Sequence, residues 1–289
     1  MRITICRRRS WLVPLMLAAG ACIPAVVRAA DDSDLLLLPP ALDDRAIFYH
    51  AFTKGADKPE INAAKATIEV QAAALADGFT GRGLATRPVE GRQQSHGIRM
   101  VSPAFSVHRP LTVMFWWRLD APMKETTGFG LIAIHNHGGR HDGYVSNFVA
   151  GKGPWCGLKE PTYISQLNGF PGLTDRNMPW GERVWSEPGQ WRHLAMTVTG
   201  ARQIDIYWDG QHREMFQAQG RLFVEGDTNA IMLGPDGYQV PMTLDEIVVL
   251  DRGLTADEIA GYRTASRALQ AISSGEQAAT AMATPEAAK

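Results

Sequence analysis

The 289-residue chain is 45% hydrophobic and 20% charged, with 29 Lys and Arg against 30 Asp and Glu. That composition supplies enough apolar material for a sizeable core and excludes a mainly disordered chain. No basic excess points to nucleic acid as a partner.

The charge balance averages two unlike regions. Residues 1–30 contain Arg2, Arg7, Arg8, Arg9 and Arg28 and no acidic residue. An apolar stretch from Trp11 to Val27 follows the Arg cluster and ends at small residues, Ala29 and Ala30. This order reads as an export signal. Pro14 and Pro24 interrupt the stretch, and it is short for a bilayer, so a transmembrane anchor is the weaker reading. Arg8-Arg9-Ser10-Trp11-Leu12 resembles a twin-arginine signal, with Arg7 as a departure, and Ala19-Gly20-Ala21-Cys22 is a poorer match to a lipoprotein signal. The expectation is a periplasmic or extracellular protein with no transmembrane anchor after cleavage. Without residues 1–30 the net charge is near −6, and of the three Cys only Cys156 remains. A single Cys cannot form an internal disulfide, and Cys156 reads as a small buried filler.

Along the chain, residues 31–40 read as a linker and 41–269 as one domain. Ala63–Ala76 is Ala-rich and predicts a helix, although Thr67-Ile68-Glu69-Val70 inside it favours a strand. Leu111–Leu119 alternates, with Leu111, Val113, Phe115, Trp117 and Leu119 on one face and Thr112, Met114, Trp116 and Arg118 on the other. Phe129–His135 predicts a strand with Phe129, Leu131, Ala133 and His135 on one face. Leu194, Met196 and Val198 form another alternating run. So do Ile204, Ile206 and Trp208, which lead into the hairpin dipeptide Asp209-Gly210. Ile231/Leu233 and Ile247/Val249 add strands. Thr255-Ala256-Asp257-Glu258 is a capping box, followed by about three helical turns. Residues 270–289, rich in Ala, Ser and Thr, read as a disordered tail. Many strands, one closing helix and no βα alternation predict an all-β, two-sheet antiparallel jelly-roll sandwich with a short C-terminal helix.

Two stretches carry a family resemblance. Gly189-Gln190-Trp191-Arg192-His193-Leu194-Ala195, with the strand ending in Asp209-Gly210, resembles the central hairpin of laminin-G-like, concanavalin-A-like domains. Leu244-Asp245-Glu246-Ile247-Val248-Val249-Leu250, with the capping box, is similar to their last strand and closing helix. Phe48-Tyr49-His50-Ala51-Phe52 is similar to their first strand. The resemblance implies Trp191 as a core anchor and His193 as a hydrogen-bonding structural residue. It also implies a structural calcium ion held by Asp245 near the chain around Tyr49–Phe52. The competing reading makes Asp245 a carboxylate satisfied by backbone N–H groups.

Residues 135–188 form a long insert relative to such domains. It opens with His135, His137, Arg140 and His141 and continues through Trp155, Tyr163, Trp180 and Trp185. Alternate His135 and His137 suit a shared metal, with His141 or Asp142 completing the shell, or they are surface polar residues. The aromatics suit sugar stacking or pack the insert onto the sandwich. No Glu-x-Asp-x-x-Glu pattern, nucleophile elbow or phosphate loop is present. Binding of a glycan or glycoconjugate, with His135, His137, Arg140, His141, Trp155, Tyr163, Trp180 and Trp185 as ligand residues, is the leading expectation. A lyase or hydrolase using His137, Arg140 and Tyr144 is the first alternative. A module binding proteins of the cell envelope is the second.

Overall fold

The computed structural model describes residues 44–71, 73–86, 97–105, 109–122, 129–136, 144–150, 162–168, 176–179, 188–199, 203–217, 229–236 and 241–283. The export signal and the linker lie outside them, as does Cys156.

The strands in chain order are β1 (Ala46–His50), β2 (Ile61–Asn62), β3 (Thr67–Val70), β4 (Ala73–Asp77), β5 (Arg82–Thr86), β6 (Ile98–Ser102), β7 (Leu111–Leu119) and β8 (Phe129–Asn136). They continue with β9 (Tyr144–Ala150), β10 (Thr162–Asn168), β11 (Arg176–Pro179), β12 (Arg192–Thr199), β13 (Gln203–Trp208), β14 (Gln211–Gln217), β15 (Asn229–Asp236) and β16 (Met242–Leu250). One helix, α1 (Ala256–Ala283), closes the described chain. The first sheet runs β14-β13-β12-β7-β16-β1-β2, with β4 and β5 attached through β16, and the second runs β11-β10-β9-β8-β15-β6-β3. Every strand pair is antiparallel, as a jelly roll requires.

The Ala63–Ala76 segment is β3 and β4, not a helix. Ile68, Val70, Ala73 and Leu75 all pack against the core. That burial outweighs the helix propensity of the alanines.

The two sheets close on one another through residues of period two. Val113, Phe115 and Trp117 of β7 meet Leu194, Met196 and Val198 of β12 and Ile204, Ile206 and Trp208 of β13 in the inter-sheet core, with Ile134, Ile231 and Leu233 from the second sheet. The Asp209-Gly210 turn joining β13 and β14 has φ of 49° and 78°, the two left-handed residues of a tight hairpin.

The outer face of the first sheet is also buried, because α1 lies over it. Leu254, Ile259 and Tyr262 pack on Met114, Ala195, Tyr207, Val248 and Leu250. Each large apolar side chain so covered contributes about 1.5–3 kcal/mol. The capping box forms as expected. The Thr255 hydroxyl oxygen accepts from the Glu258 N–H at 3.3 Å, and Glu258 accepts from the Thr255 N–H at 2.8 Å. The helix is 28 residues long, so residues 270–283 of the expected tail are helical. Ala is the strongest helix former, and a helix already nucleated extends through an Ala-rich sequence at little cost.

Candidate functional site

Two places in this framework concentrate polar groups. The first lies under the edge of α1. Strand β16 carries a bulge, in which Glu246 and Ile247 stand opposite one position of β7, between Asp245↔Trp116 and Val248↔Met114. Glu246 takes the left-handed φ of 52° there. The extra residue interrupts the alternation, so Asp245 and Glu246 both turn away from the inter-sheet core while Ile247 enters it.

Asp245 is fully buried. Its Oδ2 accepts the N–H groups of Phe79 and Thr80 at 2.7 and 3.0 Å, and Oδ1 accepts the N–H of Glu246 at 2.7 Å. The turn fits because residue 78 is Gly: a Cβ there would fall 2.5 Å from Asp245 Oδ2. Glu246 accepts from the Tyr49 hydroxyl at 2.7 Å and shares a hydrogen bond with the Thr80 hydroxyl. Burial pushes both carboxyls up, Glu246 to about 7, and the Glu246 charge raises Asp245 further. Backbone N–H groups can only donate and favour the Asp245 anion, whereas the hydroxyls on Glu246 can reverse direction. The proton held by the pair therefore resides on Glu246.

This donor set does not fit calcium. The ion needs oxygen ligands, and the Asp245 oxygens face three N–H dipoles instead. Among the described residues, no group of three His, Cys, Asp or Glu could hold a metal. The expectation of calcium at Asp245 gives way to the turn-capping role. Thermal melting should then be the same in calcium and in EDTA, to within about 1 °C. A rise of several degrees with calcium would restore a bound ion.

Beside the carboxyls, Phe79 stacks on Trp116 with ring centroids 3.9 Å apart. The Arg267 guanidinium lies 4.7 Å from the Trp116 ring centre and donates to the Trp191 carbonyl at 2.9 Å. Trp191 therefore anchors the outer cluster with Phe79 and Trp116, not the inter-sheet core. His193 is buried against Trp116 and Tyr262, and neither ring nitrogen has a hydrogen-bond partner. Burial first, with Arg263 and Arg267 outweighed only in part by Asp209, holds its pKa down at about 3. His193 is a neutral packing residue, not the hydrogen-bonding residue expected.

The second place is the insert. Strands β9, β10 and β11 form a meander that widens the second sheet beyond β8. A bulge between Gly130 and Ile132 breaks the predicted alternation, and Leu131, Ile132 and Ile134 are all buried. His135 pairs with Tyr144 and with Ala230, and Tyr144 pairs with Asn168. The next row places Ala133, Ser146, Gln166 and Asn177 in line. The third places Gly130, Phe148, Ile164 and Pro179 in line. By register these rows belong to the face opposite Ile134, which lies in the core. Val145 and Leu167 fall in register with Ile134, on the core side.

The predicted ligand residue His135 is thus the register partner of Tyr144, the base of the alternative reading, whereas Tyr163, paired with Val149, falls on the core-side face. His137, Arg140, His141, Trp155, Trp180 and Trp185 lie outside the described residues. Sequence reasoning offers Asn168 as a hydrogen-bonding partner for a sugar but misses Ser146, Gln166 and Asn177, which share its face. The polar–apolar alternation Tyr144-Val145-Ser146 and Gln166-Leu167-Asn168 was the available signal.

Residues 92–260 match the family described as the concanavalin A-like lectin/glucanases superfamily, and the chain belongs to it. No curated protein is significantly similar to it. Among solved structures, the binding domain of paraclostridial mosquitocidal protein 1 aligns with a TM-score of 0.52 at 14% identity, over 76% of this chain and 52% of that one. Domain 4 of an extracellular arabinanase from Geobacillus stearothermophilus, in complex with arabinotriose, aligns with a TM-score of 0.51 at 14% identity, over 76% of this chain and 98% of that one. The binding domain of botulinum neurotoxin DC, in complex with SialylT, aligns with a TM-score of 0.55 at 11% identity, over 78% and 52%. The chain spans about half the length of the two toxin domains. At these identities the likeness is one of fold. No helix among the described residues is long and apolar enough to cross a membrane.

Proposed function

We propose that the protein is an exported carbohydrate-binding domain whose ligand lies on the β8–β11 extension. The observation that carries this reading is the register of the insert, which aligns Tyr144, Asn168, Ser146, Gln166 and Asn177 on one face across three strands, β9–β11. Hydroxyl and amide groups both donate and accept, which matches the hydroxyls of a sugar. The arabinanase domain, almost wholly covered by the alignment and solved with arabinotriose, supports a glycan as the ligand class. The Arg-rich, acid-free residues 1–30 support export. Affinity electrophoresis against a broad set of polysaccharides should retard the protein in at least one gel, with and without chelator. Unretarded migration in all of them would overturn the reading.

One observation favours a second reading. His135 and Tyr144 are cross-strand partners at the two ends of the connection that carries His137, Arg140 and His141. With Tyr144 as base and Arg140 neutralising a carboxylate, a lyase acting on uronic-acid polymers would fit. It requires ultraviolet-absorbing unsaturated products that His137→Ala abolishes, and a flat trace on every such polymer excludes it.

A further inference from the structure

We infer that the edge of α1 beside the β13–β14 turn binds a compact oxyanion, a phosphate or sulfate group, between Arg263 and Arg267. This site is independent of the carbohydrate-binding face proposed on β8–β11. Arg263 and Arg267 stand one helical turn apart, so both side chains leave the same face of α1. A Cβ at residue 210 would fall 3.1 Å from Arg263 Cδ, so Gly210 lets the Arg263 stem lie against the turn, beside Asp209.

Asp209 cannot satisfy this pair, because its oxygens are engaged already. Oδ2 accepts from Arg192 Nη1 at 2.9 Å, and Oδ1 accepts the His193 N–H at 3.0 Å. Arg263 Nε stays 3.9 Å from Oδ1, beyond hydrogen-bond reach. That N–H is buried and has no hydrogen-bond partner among the described residues. A charged donor left in that state is costly, and an acceptor arriving beside it recovers the cost. Trp116 Nε1 and both ring nitrogens of His193, whose rings stand 5.0 Å apart, are buried and unpartnered as well. The polar atoms left unsatisfied on this side of the sheet thus gather under the two arginines.

Arg267 is held in place without an acid. Its guanidinium lies over the Trp116 ring at 4.7 Å and the Phe79 ring at 5.5 Å. It donates to the Trp191 carbonyl at 2.9 Å and to Gln270 Oε1 at 3.4 Å. No carboxylate among the described residues lies within ion-pair distance of it. Burial first, and then the charge of Arg263, make it hold its proton less tightly than usual. Two cations that repel one another, each short of an acceptor, are what an oxyanion neutralises, and guanidinium donors match its oxygens in pairs. Arg263 keeps 34% of its side chain exposed, so an ion reaches the pair from solvent yet is screened less than on an open surface.

The experiment titrates the isotope-labelled protein with sodium phosphate or sodium sulfate, with chloride holding the ionic strength constant. The expected result is a saturable shift in the millimolar range at the Arg263 Nε–H and at the amides of Trp191, His193 and Arg267. Arg267→Gln should weaken it about ten-fold, and Arg267→Lys, which keeps the charge but loses the paired donors, by less. Should Arg267→Gln fail to fold, Arg263→Gln serves in its place. Retardation by neutral polysaccharides should be the same in each variant as in the wild type. A sulfated oligosaccharide beside its unsulfated form separates the sources of the group: tighter binding than inorganic sulfate assigns it to a glycan, and equal binding assigns it to the free ion. Shifts that chloride reproduces, or that survive both Gln variants, would overturn the inference. So would the absence of a saturable shift, the outcome if a carboxylate of the chain's own, such as Glu182 or Glu187, already satisfies the pair.

Discussion

Asp245→Ala is expected to destabilise the domain by about 3–5 kcal/mol, because it strips three backbone N–H groups of a charged acceptor in a site with no access to water. The donors are those of Phe79, Thr80 and Glu246. They hold the turn before β5 against the bulge of β16, so their loss also loosens the stack of Phe79 on Trp116. Asp245→Asn keeps one oxygen but turns an amide N–H2 toward N–H donors, and should cost nearly as much. Urea denaturation of the three proteins measures this directly. A loss below about 1 kcal/mol for Asp245→Ala would mean that the turn re-forms without its cap.

The second large effect is on pH. Burial raises the Glu246 carboxyl from 4.5 to about 7, against the opposing hydrogen bonds from Thr80 and Tyr49. A carboxyl raised on folding binds its proton more tightly in the native state. Its contribution is complete below pH 4.5 and is lost as pH rises through about 7. Glu246→Gln, which stays neutral at every pH, should therefore gain stability relative to the wild type between pH 5 and 8, by on the order of 3 kcal/mol. Two other groups act in the opposite sense. His193, depressed by burial to about 3, withdraws stability as pH falls below 6.5. Glu60, which burial would raise but the neighbouring His50 ring and hydrogen bonds from Thr53 and the Ala51 N–H bring to about 2, withdraws it below 4.5. Both titrate in wild type and variant alike, so the difference between the two proteins reports the Asp245–Glu246 pair. A difference that does not change with pH would show that Glu246 is ionised throughout.

The sandwich was legible because its core strands follow the simplest pattern. Leu111–Leu119, Leu194–Val198 and Ile204–Trp208 alternate without interruption, and each buries the predicted face. The features that escaped all break the period. The extra residue in β16 puts adjacent acids on one side, and a pattern of period two cannot show that. The bulge in β8 shifts Leu131 out of the face assigned to it. Trp191 and His193 depart from expectation because the helix that covers the outer face makes a second apolar interior, and sequence spacing does not say which interior a Trp joins. The face of Ser146, Gln166, Asn168 and Asn177 was hidden differently. Its strands are short and separated by long connections, so no extended run displays their polar alternation.

The most direct test of the proposed face is residue-specific. Amide chemical shifts of the labelled protein, recorded while neutral arabino-, xylo- and gluco-oligosaccharides are added, should move first in β8–β11, at Tyr144, Ser146, Gln166, Asn168 and Asn177, and scarcely in β1, β7 or β16. Shifts confined to residues outside β8–β11, or a spectrum indifferent to every sugar, would contradict it.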